Sequence, residues 1–284
     1  MAGVTTATVD EALRDAASLL RPRSSTPRLD AEVILAHVLN TTRASLLARF
    51  NDSLTDDVVP LYRALIDRRR HGEPVAYITG HREFYGLDLE ITPDVLVPRP
   101  ETESLVEVCL KLLPRGEISH LADVGTGSGA IALAVAAGNP TVRVYATEVS
   151  IAALAVARRN AARLNLHDRV TFLDGDLLAP VPHAVDVIAA NLPYVPPGEA
   201  EPDVALWEPR DAVFGGGQDG TATILRFLTQ APEYLRPGGS VVMETAHSQG
   251  RAVSEAARKA FPGAVVDVKK DLSGYDRLVV VRTA

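Results

Sequence analysis

The sequence predicts an α/β fold in which a doubly wound, mostly parallel, seven-stranded sheet follows a small N-terminal helical domain. From about residue 118 onward, short apolar segments alternate with helical segments, which is typical of a parallel sheet covered by helices on both faces. The first 72 residues instead carry apolar positions at helical spacing alone. The last two apolar segments are joined by a short turn, so we expect the sheet to end in an antiparallel pair.

Composition restricts the kind of protein. With 284 residues, 46% of them hydrophobic and 23% charged, the chain is long enough for a small domain plus a standard one. Its formal net charge of −7 argues against an extended nucleic-acid interface, which is normally basic. The one cysteine, Cys109, excludes an internal disulfide and favours a reducing compartment. No signal peptide and no membrane-spanning apolar run is evident, so we expect a cytoplasmic protein.

The helical domain is predicted to cover residues 1–72. Thr8 and Glu11 form a capping box at the start of its first helix. The second helix is predicted to place His37 on its apolar face. The basic run 68–71 fits the cationic last turn of a fourth helix, and a phosphate or partner contact is the alternative.

The rest of the chain is predicted to divide into a linker and a larger domain. Residues 73–100 combine apolar positions with turn residues, which predicts a hairpin linker. Pro100 suits the first turn of a helix, so the domain 101–284 begins there. Its predicted strands are Leu121–Val124, Val142–Thr147, Val170–Leu173, Val185–Ala190, Ser240–Glu244, Ala264–Val268 and Leu278–Val281.

A glycine-rich loop follows the first strand of this domain and precedes a helix. Its glycines allow a sharp turn close to a ligand, and the helix start offers free N–H groups. Glu148 ends the next strand, where an acidic residue typically holds two ribose hydroxyls. We therefore predict a nucleoside site formed by Glu148 and by the loop residues Asp123, Gly125, Thr126, Gly127, Ser128 and Gly129.

The glycine loop alone leaves the ligand open. Gly125-x-Gly127-x-x-Ala130 also fits the relaxed fingerprint of dinucleotide-binding proteins. Asp123 favours another ligand, because a carboxylate at this point would face an ammonium group well and a pyrophosphate poorly. S-adenosyl-L-methionine carries such an ammonium and no phosphate, so we expect this cofactor, with S-adenosyl-L-homocysteine as product. A glycine-rich turn without a ligand is the remaining alternative.

The loop after the third strand is predicted to run along the adenine ring. Asp176 is expected to accept a hydrogen bond from the adenine amino group, with Leu177 against the ring face. The alternative is a turn that is rich in Asp and Gly for backbone reasons alone.

Asn191, Leu192, Pro193 and Tyr194 follow the fourth strand, at the edge where open α/β sheets bind ligands. A planar amide or exocyclic NH₂ is a poor nucleophile because its lone pair is delocalised. The Asn191 oxygen and a nearby backbone carbonyl can accept its two hydrogens, hold the nitrogen and free the lone pair. Pro193 stiffens the loop, and Tyr194 offers a flat face. An ordinary loop is the alternative, and the sequence shows no metal-ligand spacing.

Motifs along nearly the whole chain resemble those of the HemK-type protein-(glutamine-N5) methyltransferases. The most specific are Val97-Pro-Arg-Pro-Glu-Thr-Glu103 and the terminal Asp271…Asp276-Arg277, whereas the glycine loop is generic to methyltransferases. Asn191-x-Pro193-Tyr194 matches the family's reaction motif. Members of this family modify the glutamine of the Gly-Gly-Gln motif in class I peptide-chain release factors.

The resemblance implies a class I methyltransferase (Rossmann-like) fold that closes with an antiparallel hairpin. It implies that the helical domain docks the release factor. The glutamine amide would lie against Asn191 and Tyr194, with the carbonyl of Leu192 as a second acceptor and Pro193 as part of the substrate site. Asn191 would contact the cofactor as well. We expect a monomer that binds neither a membrane nor extended nucleic acid.

Departures from the family pattern leave two other functions open. The family usually has Pro where this chain has Leu192, more often Asp where it has Glu148, and a glycine-containing turn where it has Thr245 to His247. Asn-Leu-Pro-Tyr resembles the motif of ribosomal RNA adenine dimethyltransferases, so adenine-N6 methylation of RNA or DNA is one alternative. A cofactor-binding scaffold without turnover is the other.

Overall fold

The computed structural model describes residues 7–113, 116–271 and 273–284. The chain forms two compact units, the first ending at Gly80 and the second running from His81 to Ala284. Within the predicted hairpin linker 73–100, residues 75–79 form a helix of the first unit, so the hairpin begins only at His81. The predicted division into functional domains 1–72, 73–100 and 101–284 stays a prediction.

The first unit is helical. The capping box predicted from Thr8 and Glu11 is present, with the Thr8 side chain accepting from the Glu11 amide at 3.3 Å and the Glu11 carboxylate accepting from the Thr8 amide at 2.9 Å. Leu13, Ile34 and Leu35 are fully buried in its core. Its helices are α1 (Val9–Leu20), α2 (Pro27–Val38), α3 (Arg43–Leu47), α4 (Val58–Arg70) and α5 (Val75–Thr79).

The predicted placement of His37 on the inner face of α2 is wrong. His37 is exposed, whereas Asp30 and Glu32 on the same helix are buried. These carboxylates are ion-paired: Asp30 accepts from Arg69 Nε at 2.8 Å, and Glu32 accepts from Arg28 Nε at 2.8 Å. A buried charge is tolerated when it is paired and hydrogen-bonded, so apolar periodicity alone does not identify the inner face of this helix.

The basic run forms the last turn of α4, as predicted. Cations at this end interact favourably with the helix dipole. Each guanidinium also lies against a carboxylate: Arg68 pairs with Glu73, Arg69 with Asp30, and Arg70 with Asp67.

The second unit begins with the antiparallel hairpin of β1 (His81–Phe84) and β2 (Leu87–Glu90). Its other strands are β3 (Ser119–Val124), β4 (Val142–Glu148), β5 (Val170–Asp174), β6 (Val185–Ala190), β7 (Leu235–Glu244), β8 (Val265–Lys270) and β9 (Asp276–Arg282). Its helices are α6 (Glu103–Leu112), α7 (Ala130–Gly138), α8 (Ile151–Arg163), α9 (Pro202–Trp207), α10 (Arg210–Val213), α11 (Ala222–Gln230) and α12 (Gly250–Ala260).

The seven-stranded sheet has the order β5-β4-β3-β6-β7-β9-β8. Strands β3 to β7 pair parallel, and β9 pairs antiparallel with both β7 and β8, so the predicted fold class is confirmed. The chain leaves β3 toward β4 on one side and returns to β6 on the other. The carboxyl ends of β3 and β6 therefore form a topological switch point, where open α/β sheets bind ligands.

No helix in the described part of the chain has the length and apolar character needed to cross a bilayer.

Candidate active site

A cleft of about 570 Å³ lies at the carboxyl edge of the sheet, within the volume range of small-molecule sites. We call it the carboxyl-edge cleft. Eight of the predicted site residues line it: Gly125, Gly127, Glu148, Asp176, Leu177, Asn191, Leu192 and Pro193. The other five, Asp123, Thr126, Ser128, Gly129 and Tyr194, are not among its lining residues.

The glycine loop forms one wall of the carboxyl-edge cleft. The amides of Gly125 and Thr126 donate to the Thr147 carbonyl at 3.0 and 2.9 Å, which ties the loop to the end of β4. Gly125 and Gly127 have φ values of +73° and +56°, a region that glycine adopts without strain. A Cβ on Gly127 would meet no atom within 4 Å, whereas one on Gly125 would lie 3.1 Å from Leu192 Cδ2. The backbone at Gly127 therefore faces open space.

Glu148 is held rigidly at the end of β4. Its Oε2 accepts from the Gly127 amide at 3.0 Å, and its Oε1 accepts from the amides of Val149 and Ser150 at 2.9 and 3.1 Å. An ionised carboxylate offers about four acceptor positions, so these three bonds do not exhaust it. Glu148 can thus join the glycine loop to a ligand that donates hydroxyl hydrogens.

Asp123 lies beneath the glycine loop and has no solvent exposure. Its Oδ2 accepts from the Thr126 hydroxyl at 2.6 Å and from the Ala132 amide at 3.1 Å. Its Oδ1 is buried and has no hydrogen-bond partner among the described residues. Burial raises the pKa of this carboxyl to about 6, with a smaller contribution from the nearby charge of Glu148, although its two hydrogen bonds act in the opposite direction.

Asp176 and Leu177 follow β5, as the sequence predicted. Asp176 is paired with Arg226 of α11, a residue that the sequence analysis did not include. Both side chains of the pair are more than half exposed, so the ion pair contributes little to stability. Leu177 is buried and adopts a left-handed φ of +50°, which turns the chain at the cleft wall.

Residues 191–194, which we call the reaction loop, are hydrogen-bonded to two residues that no sequence motif had indicated as part of the site, Thr102 and Glu244. Asn191 Nδ2 donates to Thr102 Oγ1 at 3.1 Å. The Thr102 hydroxyl donates to Glu244 Oε2 at 2.8 Å, and the Tyr194 hydroxyl donates to Glu244 Oε1 at 3.1 Å. Thr102 is part of the specific Pro-Arg-Pro-Glu-Thr-Glu stretch, and Glu244 ends β7, but only the fold brings them to Asn191.

Burial determines the electrostatics of this network. Glu244 is 1% exposed, and burial raises the pKa of its carboxyl, although the bonds from Thr102 and Tyr194 and the nearby Arg277 act in the opposite direction. Burial also raises the pKa of the Tyr194 hydroxyl, and the charge of Glu244 adds to the effect. Tyr194 is therefore a neutral hydrogen-bond donor at physiological pH.

The backbone of the reaction loop is held by a hydrogen bond from Gln249 and by close packing against two glycines. Gln249 Nε2 donates to the carbonyls of Tyr194 and Asp219 at 2.8 and 2.7 Å. A Cβ on Gly215 would lie 2.5 Å from the Pro193 carbonyl oxygen, and one on Gly220 would lie 2.2 Å from the Tyr194 carbonyl oxygen. The two glycines thus allow a close backbone approach that no other residue permits.

A second buried carboxylate, that of Glu208, binds the Val97 to Arg99 segment that precedes α6. Glu208 accepts from the Val97 amide at 3.1 Å and is ion-paired with Arg99. The Glu208 side chain is 2% exposed. Glu208 thus satisfies the Val97 amide, and the Arg99 guanidinium compensates its buried charge.

Sequence comparison supplies the family. Residues 11–80 match the family described as "PrmC N-terminal domain", and residues 102–207 match "Methyltransferase small domain". The chain is 44% identical to a release factor glutamine methyltransferase of Moorella thermoacetica, over 88% of this chain and 89% of that protein. The chain belongs to the release factor glutamine methyltransferase family. The family resemblance and the enzyme class predicted from the sequence are thereby confirmed.

Other relatives agree with this family. The release factor glutamine methyltransferase of Coxiella burnetii is 38% identical over 96% of this chain and 98% of that protein. Among solved structures, a methyltransferase from Pyrococcus furiosus aligns with a TM-score of 0.55 at 23% identity, covering 78% of this chain and 98% of the other. The Thermus thermophilus 16S rRNA N2 G1207 methyltransferase aligns with a TM-score of 0.52 at 18% identity, covering 72% and 50%. At these identities the two structures show the fold alone.

Proposed function

We propose that this family member transfers a methyl group from S-adenosyl-L-methionine to the side-chain amide nitrogen of the glutamine in the Gly-Gly-Gln motif of class I release factors. The orientation of Asn191 is the observation that carries this proposal. Its amide nitrogen is bonded to Thr102, so its oxygen is left to accept a hydrogen within the carboxyl-edge cleft. An acceptor is what a substrate amide, with two N–H hydrogens, requires.

The residues of the cleft fit the cofactor. The open space at Gly127 admits a ligand close to the backbone, and Glu148 is placed for the ribose hydroxyls. Asp123 lies buried beneath the loop, outside the cleft lining, and supports the loop through Thr126 and Ala132, whereas Leu177 gives an apolar surface for the adenine. When bound, S-adenosyl-L-methionine supplies a methyl group on a sulfonium sulfur that keeps the electron pair of the broken bond.

The protein's own part in the reaction is positioning. Asn191 Oδ1 and the Leu192 carbonyl accept the two hydrogens of the substrate NH₂, which draws electron density toward the nitrogen as its new bond to carbon forms. The nitrogen loses one proton to solvent after transfer. Tyr194 presents its ring to the planar amide, with its hydroxyl bound to Glu244. Fixing the reacting atoms in this way removes much of the entropic barrier.

The substrate is a protein in this proposal, and the helical first unit docks it. The net charge of −7 favours a protein over an extended nucleic acid as partner. We propose that the protein acts as a monomer, and that it acts in the cytoplasm because its one cysteine favours a reducing compartment.

Label transfer tests the proposal directly. The purified protein is incubated with S-adenosyl-L-methionine labelled in the methyl group, together with a class I release factor or its Gly-Gly-Ala variant. Label in the wild-type factor alone supports the function. Label in adenine-containing RNA or DNA instead would favour the nucleic-acid alternative, and cofactor binding without any label would favour the scaffold.

A further inference from the structure

Three hydrogen bonds connect the reaction loop to one buried carboxylate. Glu244 accepts from the hydroxyls of Thr102 and Tyr194, and Thr102 accepts in turn from Asn191. Glu244 and Thr102 are 1% and 3% exposed, so water does not compete for these bonds. Neither side chain lines the carboxyl-edge cleft, and both are bonded to the reaction loop, Thr102 to Asn191 and Glu244 to Tyr194.

The structure gives these bonds one direction. The Thr102 hydroxyl donates to Glu244 Oε2 at 2.8 Å, and an ionised Glu244 requires this direction because a carboxylate only accepts hydrogen bonds. The Thr102 oxygen then has only lone pairs to offer Asn191, and the Asn191 side chain must turn its NH₂ toward it. As a consequence, Asn191 Oδ1 points away from Thr102. Without this constraint, the two ends of a side-chain amide are nearly equivalent in shape, and either could face the substrate.

We propose that Glu244 and Thr102 are positioning residues that set which end of the Asn191 amide faces the substrate, and that Glu244 also fixes the Tyr194 ring. A reversed Asn191 would present two donors to a substrate NH₂, which itself donates. The inference rests on the proposed function, since it concerns the same methyl transfer.

The test compares three substitutions at buried threonines. Thr102→Val keeps the shape of the side chain and removes the hydroxyl, whereas Thr102→Ser keeps the hydroxyl. Thr245→Val is the matched control, because Thr245 is the fully buried neighbour of Glu244 and its Oγ1 has no hydrogen-bond partner in the described part of the chain. Each full-length variant is assayed for methyl transfer to a release factor and for S-adenosyl-L-methionine affinity by calorimetry.

We expect Thr102→Val to lower kcat about 10- to 100-fold, the size of effect that a misplaced reacting group produces. The KM for the release factor and the cofactor affinity should stay within about twofold of wild type, since most of both binding surfaces is untouched. Thr102→Ser should recover most of the rate, and Thr245→Val should retain it.

Glu244→Gln provides a second measurement that does not depend on the Thr102 variants. The Gln amide can donate to Thr102, which releases the constraint on its hydroxyl, so kcat should again fall with little change in cofactor affinity. A wild-type kcat in both Thr102→Val and Glu244→Gln would overturn the inference while leaving the proposed function intact. An equal loss of kcat in Thr245→Val would also overturn it. A wild-type protein that transfers no label would instead refute the proposed function, and this inference with it.

Discussion

Asn191 is an example of a residue whose two polar atoms have different partners. Its nitrogen belongs to the buried network of Thr102 and Glu244, and the residue also lines the carboxyl-edge cleft, where its oxygen is proposed to accept from the substrate. Asp123 shows a similar division, with one satisfied oxygen and one buried oxygen that lacks a partner. The Asn191 oxygen is the atom that the proposed substrate would use, and a buried polar atom without a partner, such as Asp123 Oδ1, is uncommon in a folded protein.

Replacing Asn191 by Ala should separate chemistry from cofactor binding. The change removes the acceptor for the substrate amide, so we expect kcat to fall by at least 100-fold. Cofactor affinity, measured by calorimetry, should change by less than about fivefold, because the glycine loop and Glu148 are unaltered. The comparison variant Glu148→Ala should show the reverse pattern, with a marked loss of affinity. A loss of cofactor binding in Asn191→Ala as large as its loss of rate would contradict the role assigned to Asn191.

Asp123→Asn should change how stability depends on pH. Burial raises the folded-state pKa of Asp123 to about 6, above its value in the unfolded chain, so the ionised carboxylate destabilises the fold above that pH. As pH falls through about 6, the folded protein binds the proton first and the penalty is relieved. The stability advantage of Asp123→Asn over wild type should therefore shrink by roughly 1 to 1.5 kcal/mol between pH 8 and pH 5.

Urea unfolding of the cofactor-free protein at the two pH values measures this effect. The same substitution at Asp168, whose side chain is 90% exposed, controls for the loss of a negative charge. An advantage that grows toward pH 5 would show that the charged form of Asp123 is stabilised by the fold.

At the scale of elements, the loops after β3 to β6 meet at one edge of the sheet because the strands are parallel. The sequence was sufficient to predict these strands, since each is a short apolar run before a loop of polar or glycine residues. It did not predict α9, α10 and α12, and it placed His37 on the wrong face of α2. Short helices without a buried apolar stripe, such as α9, leave no periodicity to detect, and paired buried carboxylates imitate an exposed face.

Thr102 and Glu244 were also missed because local sequence patterns do not reveal contacts between distant residues. Glu244 is separated from Thr102 by 142 positions and from Tyr194 by 50, so no local pattern connects them. Only the order of the strands, with β7 beside β6, brings the end of β7 to the reaction loop. The position of residues 191–194 directly after β6 was predictable because the four residues form one continuous stretch.

Gly220→Ala should displace the backbone of the reaction loop. The added Cβ would lie 2.2 Å from the Tyr194 carbonyl oxygen, a backbone atom that cannot move without shifting the loop. Gly238 is the matched control, because it has the same φ of +74° and open space around its Cβ position. We expect Gly238→Ala to cost about 1 to 2 kcal/mol from its backbone conformation alone. Gly220→Ala should cost at least about 1 kcal/mol more, as overpacking typically does, and should also lower kcat.

Thermal unfolding and methyl-transfer assays of both variants test this prediction. Equal losses of stability, with a normal kcat in Gly220→Ala, would mean that the loop adapts to the methyl group and that its close approach to Gly220 has no functional consequence.

At the scale of the whole molecule, we propose that the two units have different functions. All residues proposed to hold the cofactor belong to the unit from His81 to Ala284, whereas residues 11–80 match a separate family of domains. Each unit has a buried apolar core of its own. A ligand stabilises only the structure that binds it, so the cofactor should act on the second unit.

Ile34→Ala tests this division of tasks. Ile34 is fully buried in the core of the first unit, so its truncation should cost about 2 to 5 kcal/mol there. Calorimetric scans should then show this unit unfolding at a lower temperature, and S-adenosyl-L-methionine at 100 times its Kd should leave that transition unmoved. The same ligand concentration should stabilise the second unit by about 2.7 kcal/mol in both Ile34→Ala and wild type. A cofactor-dependent rise of the first transition, or a cofactor affinity that falls with Ile34→Ala, would show that the helical unit takes part in binding the cofactor.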